Sequence, residues 1–295
     1  MRPLPTVLLP AYRRPESTRR CLQSLREAGA PPVILVDDEG TAGATEIAEL
    51  ARDYPGLDVV VTEEAAWWTG AVTLAARRAL AGGAERVLFF NQDVTAPPGY
   101  FEALLEASEG APEAIVGSAV LYRHDPSMVW SAGGRVEWWG RGPKVLYHGA
   151  PVASLPAGLF EVEWLFGMGT LVPAAVFERV GFPDGERFPM AWGDFDFSLR
   201  ARCAGVRLLV EPRARLVHDV GGYDARVSGA PTAREWVSQL RDPRHNLSLA
   251  AQAEVWRRHG PPFAWPAALA AHVAFLAANF VRMRVLFPRA RREAA

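Results

Sequence analysis

Four separated segments of this 295-residue chain carry the side chains best suited to chemistry. In the first, Asn91-Gln92-Asp93 follows the apolar run Val87-Leu88-Phe89-Phe90 without a break. A carboxylate there is costly unless it is hydrogen-bonded, exposed at a sheet edge or bound to a cation. Magnesium and manganese take oxygen ligands and share them with substrate phosphates, so Asp93 with a diphosphate makes a sensible half-site. The competing reading is a helix cap for the segment around Pro97 to Tyr100. The second segment, Asp37-Asp38-Glu39-Gly40-Thr41, puts carboxylates where a ribose hydroxyl or a base N–H could be read, or where an Asx turn caps the next helix.

The third segment runs from Met190 to Arg200 and holds Asp194 and Asp196 among Trp192, Phe195 and Phe197. A carboxylate walled by aromatic rings can serve as a general base toward a hydroxyl, while acids in a first helical turn also compensate the helix dipole. The fourth is His218, at the end of a short apolar strand beside Gly221-Gly222. Taken alone, such a histidine is more often structural than ligating.

Composition narrows the partners. With 32 basic and 33 acidic side chains the net charge is -1, so no nucleic acid is expected and phosphate binding has to be local. Cys21 and Cys203 show no metal-ligand spacing, which fits a reducing compartment. The start of the chain lacks the pattern of a secretory signal, so a cytoplasmic location is expected. The loop Ala11-Tyr12-Arg13-Arg14-Pro15 contains no glycine, which disfavours a dinucleotide site.

The elements that position these groups are legible from periodicity. Buried strands are predicted at Thr6 to Leu9, Val33 to Val36, Val59 to Val61 and Val87 to Phe90, alternating with helices near 16–28, 45–52, 69–81 and 99–107. That alternation specifies a mostly parallel sheet with ligands at the carboxyl ends of its strands. From about Ile115 to Leu171 the chain turns rich in Trp and Gly, and Gly133-Gly134 and Gly140 to Gly142 read as turns between antiparallel strands of a mixed portion. Further helices are expected at 173–180 and 194–204.

In this order, Val7 to Pro15, Val36 to Thr41, Asn91-Gln92-Asp93, Gly193-Asp194-Phe195-Asp196 and His218 resemble the family 2 inverting glycosyltransferases, and among them the bacterial rhamnosyltransferase and galactofuranosyltransferase branch. The resemblance implies an α/β GT-A fold: a nucleotide-binding half (about 1–112), a smaller mixed acceptor half (about 113–230) and a helical extension (231–295). It implies a dTDP- or UDP-linked sugar donor held by Pro10, Tyr12, Arg14, Asp37, Asp38, Trp68, Gly70, Asn91 and Gln92. It further implies a sugar pocket of Trp67, Gly167, Met168 and Trp192. A divalent Mg or Mn ion would sit on Asp93 and His218, and Asp194 would be the catalytic base, with Asp196 as runner-up. Asn91 stands where the family has Asp, and Gly193 where it has Glu. A nucleotidyltransferase and an inactive carbohydrate-binding protein are the rival readings.

The tail adds a further expectation. From Phe263 to Val281 there is no charged residue, and Arg282, Arg284, Arg289, Arg291 and Arg292 follow. An interfacial helix on the inner face of a membrane, serving a lipid-linked or glycan acceptor, is one reading. A helix packed on the catalytic domain or on a second subunit of a homodimer is the other.

Overall fold

The computed structural model describes residues 3–41, 43–54, 56–219 and 231–286. The chain divides into two compact units, one from Met1–Arg135 and Val145–Asp219, the other from Val136–Lys144 and Val220–Ala295.

In the first unit, β1 (Thr6–Ala11), β2 (Val33–Asp37), β3 (Leu57–Val61) and β4 (Arg86–Phe89) lie parallel in the order β3-β2-β1-β4. Crossovers run through α1 (Pro15–Glu27), α2 (Gly43–Asp53) and α3 (Trp67–Ala81). Alternation along each strand sends side chains to opposite faces. Val7, Leu9 and Leu35 join Cys21, Leu22 and Leu25 of α1 on one side. Leu8, Ile34, Val36 and Phe89 join Ala71, Val72, Ala75 and Ala76 of α3 on the other. Small alanines let α3 lie close on the sheet, which brings its N-terminus to the ends of β1 and β4.

The rest of the unit extends that sheet with mixed polarity. It comprises β5 (Val94–Thr95), α4 (Tyr100–Gly110), β6 (Ile115–Tyr122), β7 (Val129–Ser131), β10 (Phe160–Glu161), β11 (Thr170–Pro173), α5 (Ala174–Val180), α6 (Gly193–Cys203) and β12 (Leu208–His218), whereas β8 (Gly134–Glu137) and β9 (Gly142–Val145) form a separate two-stranded sheet, most of which, Val136–Lys144, is counted with the second unit. The main order is β10-β12-β6-β11-β4-β1-β2-β3, with β5 on β12 and β7 on β6. β11 runs antiparallel to both β4 and β6, and so joins the parallel half to the mixed half.

Two expectations change in detail. Gly140 to Gly142 does close a two-stranded ribbon, β8 with β9, but Gly133-Gly134 links strands that are not partners. Its glycines are needed for approach instead: a Cβ on Gly133 or Gly134 would collide with Val162 or Trp164. The strand ending at His218 is long rather than short, because a bulge between Glu211 and Arg215 lets β12 bend and continue along β6.

The second unit holds α7 (Ala233–Arg241), α8 (Leu249–His259) and α9 (Trp265–Leu286). Thr232 and Glu235 form a capping box that starts α7, and the helix stops before Asp242-Pro243, where a proline cannot continue it. Trp256 of α8 is fully buried, stacks on His272 at 4.5 Å and donates from its indole N–H to the Trp138 carbonyl at 3.3 Å. His272 Nδ1 donates to the Gly140 carbonyl at 2.6 Å, and burial lowers its pKa, keeping the ring neutral.

Candidate active site

The carboxyl ends of β1 and β4 and the first turn of α3 border an open cleft of about 230 Å³, lined by Pro10, Ala11, Tyr12, Asp38, Trp67, Trp68, Asn91, Gln92, Asp93 and Met190. This is where a parallel sheet of this topology places a ligand. Met190, 48% exposed, is a lining residue that sequence reasoning missed, although it opens the run leading to Asp194.

Several polar side chains expected to read the ligand are committed to holding the cleft open. Asp38 accepts from the backbone N–H of Ala66 at 2.7 Å and of Trp67 at 3.0 Å, and from the Thr62 hydroxyl at 3.0 Å. It therefore caps α3, whose own N-cap, Ala66, supplies no side-chain acceptor. Gln92 clamps the end of β1: Tyr12 N–H donates to its Oε1 at 3.1 Å and its Nε2 donates to the Tyr12 carbonyl at 2.9 Å. Asp37 is buried and accepts from Thr41 at 3.3 Å; with Arg14 it borders a small adjoining hollow rather than the main cleft.

A second chain of contacts links the strand end to the candidate base. Trp68 Nε1 donates to Asn91 Oδ1 at 2.7 Å. The Trp68 ring lies so close over Gly167 that a Cβ there would overlap it. Gly167 N–H in turn donates to Asp194 Oδ2 at 2.8 Å, and Phe195 N–H donates to Oδ1 at 2.8 Å. Burial raises the Asp194 pKa above the ordinary aspartate value, with those backbone donors opposing the shift. No cation among the described residues pairs with it.

Asp196, by contrast, is fully buried, and Arg200 Nε donates to it at 2.8 Å. The same guanidinium donates to the carbonyls of Val180 and Phe182, so this pair pins α6 to the loop after α5. Gly193 also has a local cause, since a Cβ there would run into the Thr69 side chain. Backbone strain gathers around the cleft, with positive φ at Arg13 (50°), Glu39 (59°), Trp67 (54°) and Trp192 (73°).

Asp93 and His218 meet where β5 pairs with the end of β12. His218 Nε2 lies 3.6 Å from Asp93 Oδ2, and Arg14 Nη1 lies 3.9 Å from the same oxygen. Trp130, which the sequence did not flag, packs its ring against His218 at 4.7 Å. Asp93 Oδ1 and His218 Nδ1 are both inaccessible and have no hydrogen-bond partner. A carboxylate beside an imidazole, each with an orphaned polar atom, fits a pair of metal-ligand residues whose remaining positions belong to substrate or water. Among the described residues no cluster of three or more His, Cys, Asp or Glu side chains could hold a metal without that help.

Beyond Arg14, Asp37, Gly167, Asp194, Asp196 and His218, whose places are given above, three more predicted residues fall outside the cleft lining. Met168 is buried in the core with Leu171 and Leu216. Gly70 lies in the first turn of α3, where Gly185 approaches its backbone. Trp192 is the N-cap of α6 and sets its ring against Phe195 at 5.4 Å.

Known proteins share this fold. The chain is 26% identical over 283 residues to the O-antigen biosynthesis protein RfbC of Myxococcus xanthus; the match covers 87% of this chain and 21% of RfbC, so the chain spans about a fifth of that relative's length. GalNAc-T7 with UDP, GalNAc and Mn2+ superposes with a TM-score of 0.59 at 11% identity, over 96% of this chain and 58% of that one. TarS of S. aureus, residues 1–349 with UDP-GlcNAc, does so with a TM-score of 0.57 at 16% identity, over 95% and 73%. These are GT-A folds, and the α/β architecture expected from the sequence is the one observed. The profile of "Glycosyl transferase family 2" matches residues 6–165, from β1 through the segment next to Gly167, so this chain belongs to the family 2 glycosyltransferases.

Proposed function

We propose that the chain transfers a sugar from a dTDP- or UDP-linked donor to a hydroxyl of a glycan or lipid-linked acceptor, in one displacement with inversion, Asp194 acting as base. The observation that carries this reading is Asp194 itself: a carboxylate with no cation beside it, raised in pKa by burial, and joined through Gly167 and Trp68 to the cleft that Asp93 borders. A base needs that combination, because an unpaired carboxylate keeps its affinity for a proton.

In this mechanism the acceptor oxygen bonds to the anomeric carbon as the bond from that carbon to the diphosphate oxygen breaks. Asp194 takes the hydroxyl proton, and the Gly167 and Phe195 amides keep its carboxylate oriented. Trp67, Trp68 and Met190 offer apolar surface for the donor and exclude water. Arg14 stands beside Asp93 on the side open to solvent, placed to meet a phosphate. A divalent cation on Asp93 and His218 would supply charge neutralisation to the departing diphosphate.

The donor sugar we favour is rhamnose- or galactofuranose-like, and the acceptor class a surface polysaccharide; the likeness to RfbC supports the latter. Gly193 does not argue for an inactive binder, since it has a structural cause in Thr69, and Asn91 keeps the acceptor that Trp68 needs. The test is a thermal-shift screen of UDP- and dTDP-sugars with and without manganese, because a bound donor raises apparent stability. Stabilisation by one donor, larger with manganese and followed by turnover with an acceptor, is the expected result. Binding without any turnover would leave a carbohydrate-binding protein instead.

A further inference from the structure

We infer that α9, with the exposed arginines Arg282 and Arg284 of its last turns, docks this protein on an anionic lipid bilayer. Of the 22 residues of α9, only Ala268 and His272 are buried. The exposed positions Ala267, Ala270, Ala274, Ala278, Val281 and Val285 recur at spacings of three and four. They form one continuous stripe, and every member is apolar. A helix at home in water turns polar residues outward at those positions, so this stripe lacks its natural neighbour.

Charge identifies that neighbour. Arg282, Arg284, Arg289, Arg291 and Arg292 stand against a single acid, Glu293, in the same stretch of sequence. Apolar area and a basic cluster side by side are the two signals that together hold a protein on an anionic surface. A second copy meeting through the same helix could cover the stripe but not the arginines. Among the described residues the acids of this unit are already engaged: Glu137 with Arg141 and Lys144, Asp242 with Arg244, Glu254 with Arg257 and Arg258, and Glu235 in its capping box.

The packing also sets the mode of contact. His272 bonds the Gly140 carbonyl and stacks on Trp256, tying the first half of α9 sideways to α8. Phe280 stacks on Trp236 of α7 at 4.7 Å, tying the second half. Held along its length, α9 lies in the interface with its free stripe down. It does not cross the hydrocarbon alone, although 22 residues would be long enough.

The experiment is flotation of the full chain with phosphatidylcholine vesicles, with and without phosphatidylglycerol, at low and high salt. The expected result is binding roughly tenfold or more tighter to the anionic vesicles, weakened by salt. The double variant Val281→Glu/Val285→Glu, at positions 60% and 73% exposed, should lose it while keeping the wild-type circular dichroism and melting temperature. Arg282→Glu/Arg284→Glu should lose the anionic preference alone. Equal binding to both vesicles, no binding to either, or a dimer in solution that the Val281/Val285 variant dissociates would each overturn the inference.

Discussion

The indole N–H of Trp68 donates to the side-chain oxygen of Asn91 at 2.7 Å, so the residue that departs from the family's metal motif is also the one that anchors the ring over Gly167. Because an indole N–H can only donate, Oδ1 of Asn91 faces Trp68 and its NH2 group faces away. An Asp at 91 would satisfy Trp68 equally well while adding a charge beside Asp93. Asn91→Asp is therefore expected to fold normally and to tighten manganese dependence, read as a lower manganese concentration for half-maximal activity. An unchanged manganese titration would separate residue 91 from metal use.

Trp68→Phe keeps the ring and removes the donor. Leaving a partly buried acceptor unpaired costs on the order of 1–2 kcal/mol. The looser ring should relax the Gly167 to Asp194 contact, so kcat should fall about tenfold or more while the donor KM changes less. Steady-state kinetics alongside a thermal melt checks this, and a loss confined to KM would assign Trp68 to donor binding alone.

Gly193 and Thr69 are expected to be coupled. Gly193→Ala should destabilise by about 1–3 kcal/mol, because the new Cβ meets Thr69, which is itself fully buried. Thr69 Oγ1 has no hydrogen-bond partner, so Thr69→Ala alone should be close to neutral, and combined with Gly193→Ala it should recover part of the loss. Denaturant melts of the four proteins give the coupling energy. Simple additivity would mean that the two side chains do not compete for space.

The raised pKa of Asp194 makes a signed pH prediction. A base works only when deprotonated, so the acid limb of kcat should lie above the ordinary aspartate range. Stability runs the other way: the folded state holds the Asp194 proton more tightly than the unfolded chain, so stability falls as pH rises from the unfolded pKa to the folded one. Relative to Asp194→Asn, the wild type should lose stability across that window and stay at a constant offset above it. Parallel melts from about pH 3.5 upward would show it; a difference independent of pH would remove Asp194 as a half-buried, titrating carboxylate.

Asp93→Asn and His218→Ala should each weaken manganese-dependent stabilisation by a donor about tenfold or more, since each removes a proposed metal-ligand residue. His218→Ala also takes one ring neighbour from Trp130, which keeps its contact with Phe166, so its melt without ligand calibrates the structural share. Equal manganese response in wild type and both variants would reject the pair as a metal site.

Much of this was legible in the sequence, for a physical reason: buried parallel strands are continuous apolar runs, and the residues that end them are forced to the ligand edge. Tyr12, Asp38, Asn91, Gln92 and Asp93 follow strand ends and reach the cleft, as does Pro10, which the family resemblance named. What could not be read is the division of labour among them. Asp38 spends its oxygens on Thr62, Ala66 and Trp67, and Gln92 spends its amide on Tyr12, partners that only the crossovers bring near. Asp194 and Asp196 look alike as text, and Arg200 with the carbonyls after α5 separates them. The expected glycine loop near 221 lies outside the described residues.

The most direct test of the account is Asp194→Asn, measured for transfer and for donor binding in the same preparation. The account expects transfer to fall by about a thousandfold or more, the scale of losing a general base, with donor affinity within about threefold of wild type. Turnover near the wild-type rate in a folded, donor-binding Asp194→Asn protein would contradict it.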